Sequence, residues 1–361
     1  MNFKRKKIFD LSSFSWSHFP KATSPKMLER MSQIGGFFLI AVLVFVCYEV
    51  YAPLNNSSHE TITYIVQKGW SDNQIAKDLK NFGIIRSEFF FKFYAMVSFQ
   101  HSSLQAGKYS LSSRMSVYQI VKQMASGNVI RQKILVYEGW AIEDIGNHLE
   151  AENVCAKGDF IKATEKDYSL DFGFLKDLPR DKAGKPTVNL EGYLFPDTYY
   201  ISEGETCDEI VEKMLRNFDK KLTFELRQQI SDQKKTIFDV ITTASLIEKE
   251  VRTLEDKKIV SGILWKRLDA EMPLQLDCTV NYVTGKSDPG VAIKDTKIDS
   301  PYNTYKYKGL PKGPISNPGM NSIIAALNPT KTAYWFYLTD GVTHFSKTAE
   351  EHAAKKAKYL D

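Results

Sequence analysis

LVYEGWAIEDIGNHLEAENV, residues 135–154, repeats the pattern of IVQKGWSDNQIAKDLKNFGI, residues 65–84, at a constant offset of 70. Gly69-Trp70 aligns with Gly139-Trp140, Ile75 with Ile145 and Leu79 with Leu149. Each copy predicts a short strand, a glycine turn and an amphipathic helix with apolar residues four apart. A shorter variant lies between them: Gly107–Leu111, followed by Val117, Ile120, Val121 and Met124 at helical spacing. Internal similarity of this kind marks a supersecondary unit used more than once. Such units suit either a small module that sits on an extended polymer or a spacer, and their helix faces carry no signature that chooses. Ser126-Gly127-Asn128 predicts a turn before the second half of the chain.

Outward from the repeat, the N-terminal side is set by charge and hydropathy. Residues 1–33 hold Lys4, Arg5, Lys6, Lys7, Lys21, Lys26 and Arg30 against Asp10 and Glu29, which accounts for the whole net charge of +5. The rest of the chain is neutral, so the basic excess is an N-terminal address and not a nucleic-acid surface. Residues 34–52, IGGFFLIAVLVFVCYEVYA, carry one charge, Glu49, near the far end. Their length suits a membrane-crossing helix, and Tyr48 and Tyr51 sit where interfacial aromatics belong. The basic flank precedes the span, which predicts a cytoplasmic N-terminus and an external remainder. A cleaved signal peptide fits less well, because the leading segment is long and no small-x-small site follows. Of four cysteines, Cys47 lies in the span; Cys155, Cys207 and Cys278 read as packing residues, with room for at most one disulfide.

On the C-terminal side, residues 236–251, TIFDVITTASLIEKEV, predict a helix with Ile237, Val240, Ile241, Ala244, Ile247 and Val251 on one face. Glu248 and Glu250 follow the apolar run. At roughly 100° per residue they point about 200° apart, so they cannot share a proton as a dyad. Glu248 falls inside the apolar stripe and Glu250 on its flank. Both lie near the helix C-terminus, where the dipole disfavours a charged carboxylate and raises its pKa. A carboxyl that holds its proton is what an acetal-cleaving acid requires. The stripe alone slightly favours Glu248 for that role. A second carboxylate, if one serves, would be Glu191, Asp197 or Asp277; otherwise the nucleophile comes from the substrate.

Aromatic strings accompany these carboxylates. Leu190–Tyr200 contains Tyr193, Phe195, Tyr199 and Tyr200, and Ser300–Gly319 contains Tyr302, Tyr305 and Tyr307. Tyrosine offers a flat face to a sugar ring and a hydroxyl at its edge, although strand alternation would equally bury some of these rings. Pro301, Asn303, Gly309, Pro311, Gly313, Pro314, Pro318 and Gly319 predict a long ordered loop, a feature that tends to carry function. The six histidines are scattered, and no metal-ligand spacing, phosphate loop, G-x-S-x-G elbow or dinucleotide fingerprint occurs. No metal and no cofactor is expected.

Four ordered strings then become recognisable. Glu191–Thr198, Ala244–Glu250, Leu274–Tyr282 and Tyr302–Gly319 resemble, in that order, motifs of the endolytic murein transglycosylase family, also called YceG-like; Asn328-Pro329 and Phe345 fit as well. Cys278 departs from the pattern at a position where proline is common. The resemblance implies a fold of class α+β: an N-terminal transmembrane helix, a small LysM-like α/β module, then an α+β catalytic domain. The corresponding boundaries are 1–33 cytoplasmic segment, 34–52 span, 60–132 module and 133–361 catalytic domain. It implies a lytic transglycosylase that cuts the β-1,4 bond between N-acetylmuramic acid and N-acetylglucosamine, leaving 1,6-anhydro ends and ending strand elongation. The catalytic glutamate falls on Glu250, with Glu248 holding a buried network beside it. Glu191, Tyr193, Asp197, Gln275, Asp277, Tyr302, Asn303, Thr304 and Tyr305 would contact the glycan. Peptidoglycan strands, cell-wall synthases and the bacterial inner membrane are the implied partners, with the catalytic domain on the periplasmic face. A muramidase using water, with Asp277 or Glu191 as base, and a non-enzymatic wall-binding scaffold are the competing expectations.

Overall fold

The computed structural model describes residues 25–57, 60–101, 103–286 and 290–360. Lys4, Arg5, Lys6, Lys7 and Lys21 of the basic segment lie outside the described residues. The first helix, α1 (Pro25–Tyr51), begins earlier than the predicted span. Its stretch Glu29–Tyr51 has 23 residues and a mean hydropathy of 2.2. At 1.5 Å per residue it is about 34 Å long, enough to cross a hydrocarbon layer. Its side chains from Ile34 to Phe45 are mostly exposed, unlike those of a core helix.

The chain divides into two compact units, the first ending at Ile130 and the second starting at Arg131. After α1, the first unit contains β1 (Ile62–Val66), α2 (Asp72–Asn81), α3 (Glu88–Val97), β2 (Gly107–Leu111) and α4 (Val117–Ala125). β1 and β2 pair antiparallel with Tyr64 opposite Tyr109. Both rings are buried with Ile75, Leu79, Phe91, Ile120 and Met124. The helices start where the sequence supplies caps: Ser71 with Gln74 and Ser116 with Gln119 form capping boxes that satisfy two orphan amides each. The far end of α1 packs on this unit, with Tyr51 against Tyr118 at 5.5 Å and Glu49 on Arg86 at 3.5 Å.

The second unit opens with β3 (Arg131–Leu135), α5 (Ile142–Ala151) and α6 (Lys157–Thr164). β4 (Thr198–Ser202), α7 (Cys207–Lys221), α8 (Phe224–Asp232) and α9 (Ile237–Glu250) follow. The chain continues through α10 (Leu254–Asp269), α11 (Asp277–Thr284), α12 (Met320–Leu327), β5 (Phe336–Thr339), β6 (Thr343–Ser346) and α13 (Ala349–Tyr359). The architecture is α+β, with three two-stranded antiparallel sheets among the described residues. The two repeat copies fold alike, as strand, turn and helix. Gly69 and Gly139 sit at φ 89° and 78°, a conformation that L side chains avoid, which explains the repeated glycine. The strands find different partners: β1 pairs with β2, and β3 pairs with β4. The repeat is therefore a reused local unit and not a tandem stack.

α9 packs against α8, α10, α11 and α12. The sequence predicts one apolar face, but every residue from Val240 to Ile247 is buried. Small hydroxyls make this tolerable. Thr243 Oγ1 donates to Asp239 O at 2.8 Å and Ser245 Oγ to Thr242 O at 2.7 Å, so the helix satisfies these two itself, whereas the buried Thr242 hydroxyl finds no partner among the described residues.

Cys155 and Cys207 form a disulfide across 52 residues, with Cα atoms 5.7 Å apart. This corrects the reading of both as packing residues: the bridge ties the chain after α5 to the first residue of α7. A loop of that length constrains the unfolded chain by about 4 kcal/mol in the chain-entropy account. Replacing both cysteines by serine is expected to lower the denaturation midpoint under oxidising conditions. An unchanged midpoint would show that the bridge contributes no stability.

Candidate active site

α9 delivers its two glutamates to different surroundings. Glu248 is nearly covered and pairs with Lys257 of α10 at 2.8 Å. Its second oxygen accepts from Gly319 N at 2.9 Å and Ser322 Oγ at 2.7 Å, so it caps the N-terminus of α12. Every bond of Glu248 holds helices together.

Glu250 instead lies on the wall of a cleft of about 990 Å³, a volume at the upper end for ligand sites. Gln275, Asp277 and Tyr305 line the same cleft, with Asn147, Lys249, Cys278, Asn281, Tyr282 and Tyr337. Tyr337 donates to Glu250 Oε2 at 3.1 Å. Burial pushes Glu250 above the ordinary carboxylate range and the charge of Asp277 adds to this, while bonds from Cys278 and Tyr337 pull it partly back. Burial and Glu250 also push the Cys278 thiol well up, and burial does the same for the Tyr337 phenol, so both stay protonated as donors. The result is a carboxyl biased toward its protonated form beside open space. Asp277, at the start of α11, accepts a short bond from the Tyr305 hydroxyl.

The cleft floor is stiffened from behind. Gln275 adopts φ 55°, a left-handed conformation costing a non-glycine residue about 1–2 kcal/mol. It is held there by Gln275 N donating to Thr304 O at 3.1 Å and by Arg267 donating to Leu274 O at 2.8 Å. Residues 300–319 form neither helix nor strand, yet Asn303, Thr304, Ser316 and Asn317 are buried. Asn303 Nδ2 donates to Thr296 O and Ile298 O, and Thr304 Oγ1 accepts from Leu276 N. These two expected glycan contacts are braces of the loop.

Others of the expected set also lie apart from the cleft. Tyr193 is fully buried among Phe174 and Phe218, with no face for a sugar. The neighbouring Gly192, at φ 89°, leaves no room for a Cβ, which would come within 2.7 Å of Pro314. Asp197 lines a separate shallow depression and binds Lys221 at 3.1 Å. Tyr302 packs behind Tyr282 at 5.1 Å. Glu191 is buried and caps α5: its oxygens accept from Ile142 N at 3.2 and 3.1 Å, where the cap residue Ala141 has no side-chain oxygen to offer. Asn317 Nδ2 and the Tyr282 hydroxyl complete its shell. Several cleft residues were missed from sequence, among them Asn147, Lys249, Asn281 and Tyr282. The two that bond Glu250 are Tyr337, in the aromatic run 334–338 that carries no motif of its own, and Cys278, which reads as packing.

Desolvation raises Glu191 to about 8 from an ordinary 4.5, against hydrogen bonds that lower it. The folded state therefore binds a proton that the unfolded state has released over that window. The contribution of Glu191 to stability should be full below pH 4.5 and fall by ~1.4 kcal/mol per pH unit until about pH 8. Glu191→Gln keeps an acceptor for Ile142 and Asn317 and removes the titration. Its thermal midpoint is expected to gain on the native chain progressively above pH 5; parallel curves for the two proteins would refute the assignment.

The sequence pattern of the YceG-like family matches residues 64–358. The chain belongs to that family. The YceG-like chain is 33% identical over 337 residues to the endolytic murein transglycosylase of Bacillus subtilis, covering 91% of each protein. It is 29% identical to the endolytic murein transglycosylase of Streptococcus pneumoniae, over 86% of this chain and 60% of that longer protein. A crystal structure of a yceG-like protein from Listeria monocytogenes shares its fold with a TM-score of 0.56 and 33% identity, over 82% of this chain and 99% of that one.

Proposed function

We infer that this protein is an endolytic murein transglycosylase, a lyase that cuts within peptidoglycan glycan strands. The observation that carries the reading is Glu250, a carboxyl whose burial favours its protonated form, on the wall of an open polar cleft. The family's names for its relatives agree.

In the proposed reaction Glu250 gives its proton to the glycosidic oxygen between N-acetylmuramic acid and N-acetylglucosamine. As the bond from C1 to that oxygen breaks, the glucosamine leaves with a new hydroxyl. The Glu250 carboxylate then takes the proton of the muramic acid 6-hydroxyl, whose oxygen closes on C1 to form the 1,6-anhydro ring. Glu250 ends protonated, and no water is consumed. The substrate supplies the nucleophile, so Asp277 has only to raise Glu250 and, with Gln275 and Tyr305, to position sugar.

Around this core stand finer proposals. α1 anchors the chain in the inner membrane, with the basic segment inside and the catalytic domain, residues 133–361, in the periplasm; the charge flank supports this. The module of residues 60–132 is LysM-like and holds glycan; what supports it is a compact core of its own. Synthases of the cell wall are the proposed partners, since ending a strand requires meeting it as it grows.

Mass spectrometry of uncrosslinked glycan incubated with the purified full chain tests the reading. Fragments ending in 1,6-anhydro-muramic acid are expected. Reducing ends would mean a muramidase with Asp277 as base, and uncut strands would mean a scaffold.

A further inference from the structure

α3 is apolar nearly all round, EFFFKFYAMV, but only one side of it has a core to face. Phe91 and Ala95 are buried. On the opposite side Phe89, Met96 and Val97 are 65%, 59% and 51% exposed, and Phe99 just beyond the helix is 92% exposed. At about 100° per residue Phe89, Phe93, Met96 and Val97 fall within one quarter to one third of the helix circumference. Phe89 and Phe93 stack at 6.2 Å, so the patch is continuous. A helix that is apolar on its outward face needs a second apolar environment, and a patch of this kind marks an interaction surface.

The position of the patch selects the partner. Phe90 meets Phe45 of α1 edge-on at 5.6 Å and Phe89 at 5.2 Å. Phe45 lies six residues before Tyr51, so roughly 9 Å inside the end of the apolar helix. The start of α3 is thus level with residues that stand in hydrocarbon if α1 spans. The flanking charges suit an interface. Arg86 lies over the Tyr48 ring at 5.0 Å, and Lys92 borders the patch on a stem long enough to reach lipid phosphates.

We propose that α3 is embedded in the interface of the bilayer that α1 crosses, with Phe89, Phe93, Met96, Val97 and Phe99 among the acyl chains. The partner is a lipid surface, and the first unit is held to it twice, by its anchor and by this face. The proposal rests on α1 being a membrane span, and the test separates the two.

The full chain carrying Cys47→Ser and Cys278→Ser is reconstituted in phosphatidylcholine–phosphatidylglycerol vesicles. One spin label is placed at a time by Val44→Cys in α1, Lys77→Cys on the exposed side of α2, Met96→Cys or Phe99→Cys. Collisions with oxygen, which partitions into lipid, are compared with collisions with a nickel chelate, which stays in water. Met96 and Phe99 are expected to share the oxygen-dominated response of Val44, and Lys77 the nickel-dominated one. Both α3 sites lie outside the core, and unaltered thermal unfolding of each labelled chain shows that it is folded. Val44 in lipid with Met96 and Phe99 in water would overturn this proposal alone. Shielding of both α3 sites from both reagents would also overturn it, because the face would then be covered by protein. Val44 in water would overturn the span, and the embedded helix with it.

Discussion

Glu250→Gln is expected to lower glycan cleavage by about a hundredfold to ten-thousandfold, the contribution of a positioned general acid–base group. The fold should persist, because Gln keeps the volume and can still accept from Tyr337. Glu248→Gln provides the contrast: it weakens the tie to Lys257 and the α12 cap but touches no cleft atom. Its folded fraction should still cut glycan, and a loss equal to that of Glu250→Gln would overturn the assignment of the acid. The pH profile adds a second readout. Cleavage needs protonated Glu250, whose carboxyl burial holds above the ordinary range, so activity should fall as pH rises through that elevated value. Tyr337 favours the ionised form by donating to it. Tyr337→Phe removes that donor and should move the alkaline limb of kcat to higher pH; a limb that stays in place would mean that Tyr337 does not act on Glu250.

Lys257→Met should destabilise the protein by about 3–5 kcal/mol, the usual result of stripping one partner from a buried ion pair. Lys257 is 3% exposed and its Nζ is 2.8 Å from Glu248. The pair joins α9 to α10, and Glu248 also reaches α12. The double variant Lys257→Met/Glu248→Gln should recover much of the loss, since it removes the unpaired charge rather than stranding it. Denaturant midpoints of the two singles and the double give the coupling. Simple additivity of the two single effects would show that the ion pair is not the source of the loss.

Much of the site was legible because it depends on local pattern. The apolar run ahead of Glu248 and Glu250 identified α9, and 100° per residue already required the two carboxylates to part. Proline and glycine over 300–319 announced an ordered loop. Asp277 stood among the candidate carboxylates and Tyr305 in an aromatic string, while Gln275 was implied by the family resemblance; the cleft gathers all three. The fates of the other polar residues were not legible. Glu191 looked like a sugar contact, but its role follows from a helix start 49 residues upstream whose cap position is an alanine. Asn303 and Thr304 brace the loop through carbonyls and amides, contacts that any polar side chain might promise and only packing assigns.

Period and length by themselves determined the repeat's strand–turn–helix units, the apolar N-terminal helix and the helix that bears the carboxylates. Each follows from interactions within a few residues of backbone. The tertiary structure alone decided which glutamate faces the cleft, that Tyr337 and Cys278 attend it, that Tyr193 is core and that Cys155 meets Cys207. Those outcomes depend on what α9 and its neighbours pack against. The groups concerned, Lys257, Gly319, Ser322 and Tyr337, lie 9 to 87 residues along the chain from the glutamates they meet. Local propensity carries no information over that range, because a side chain's surroundings are set by burial and hydrogen bonding among distant segments.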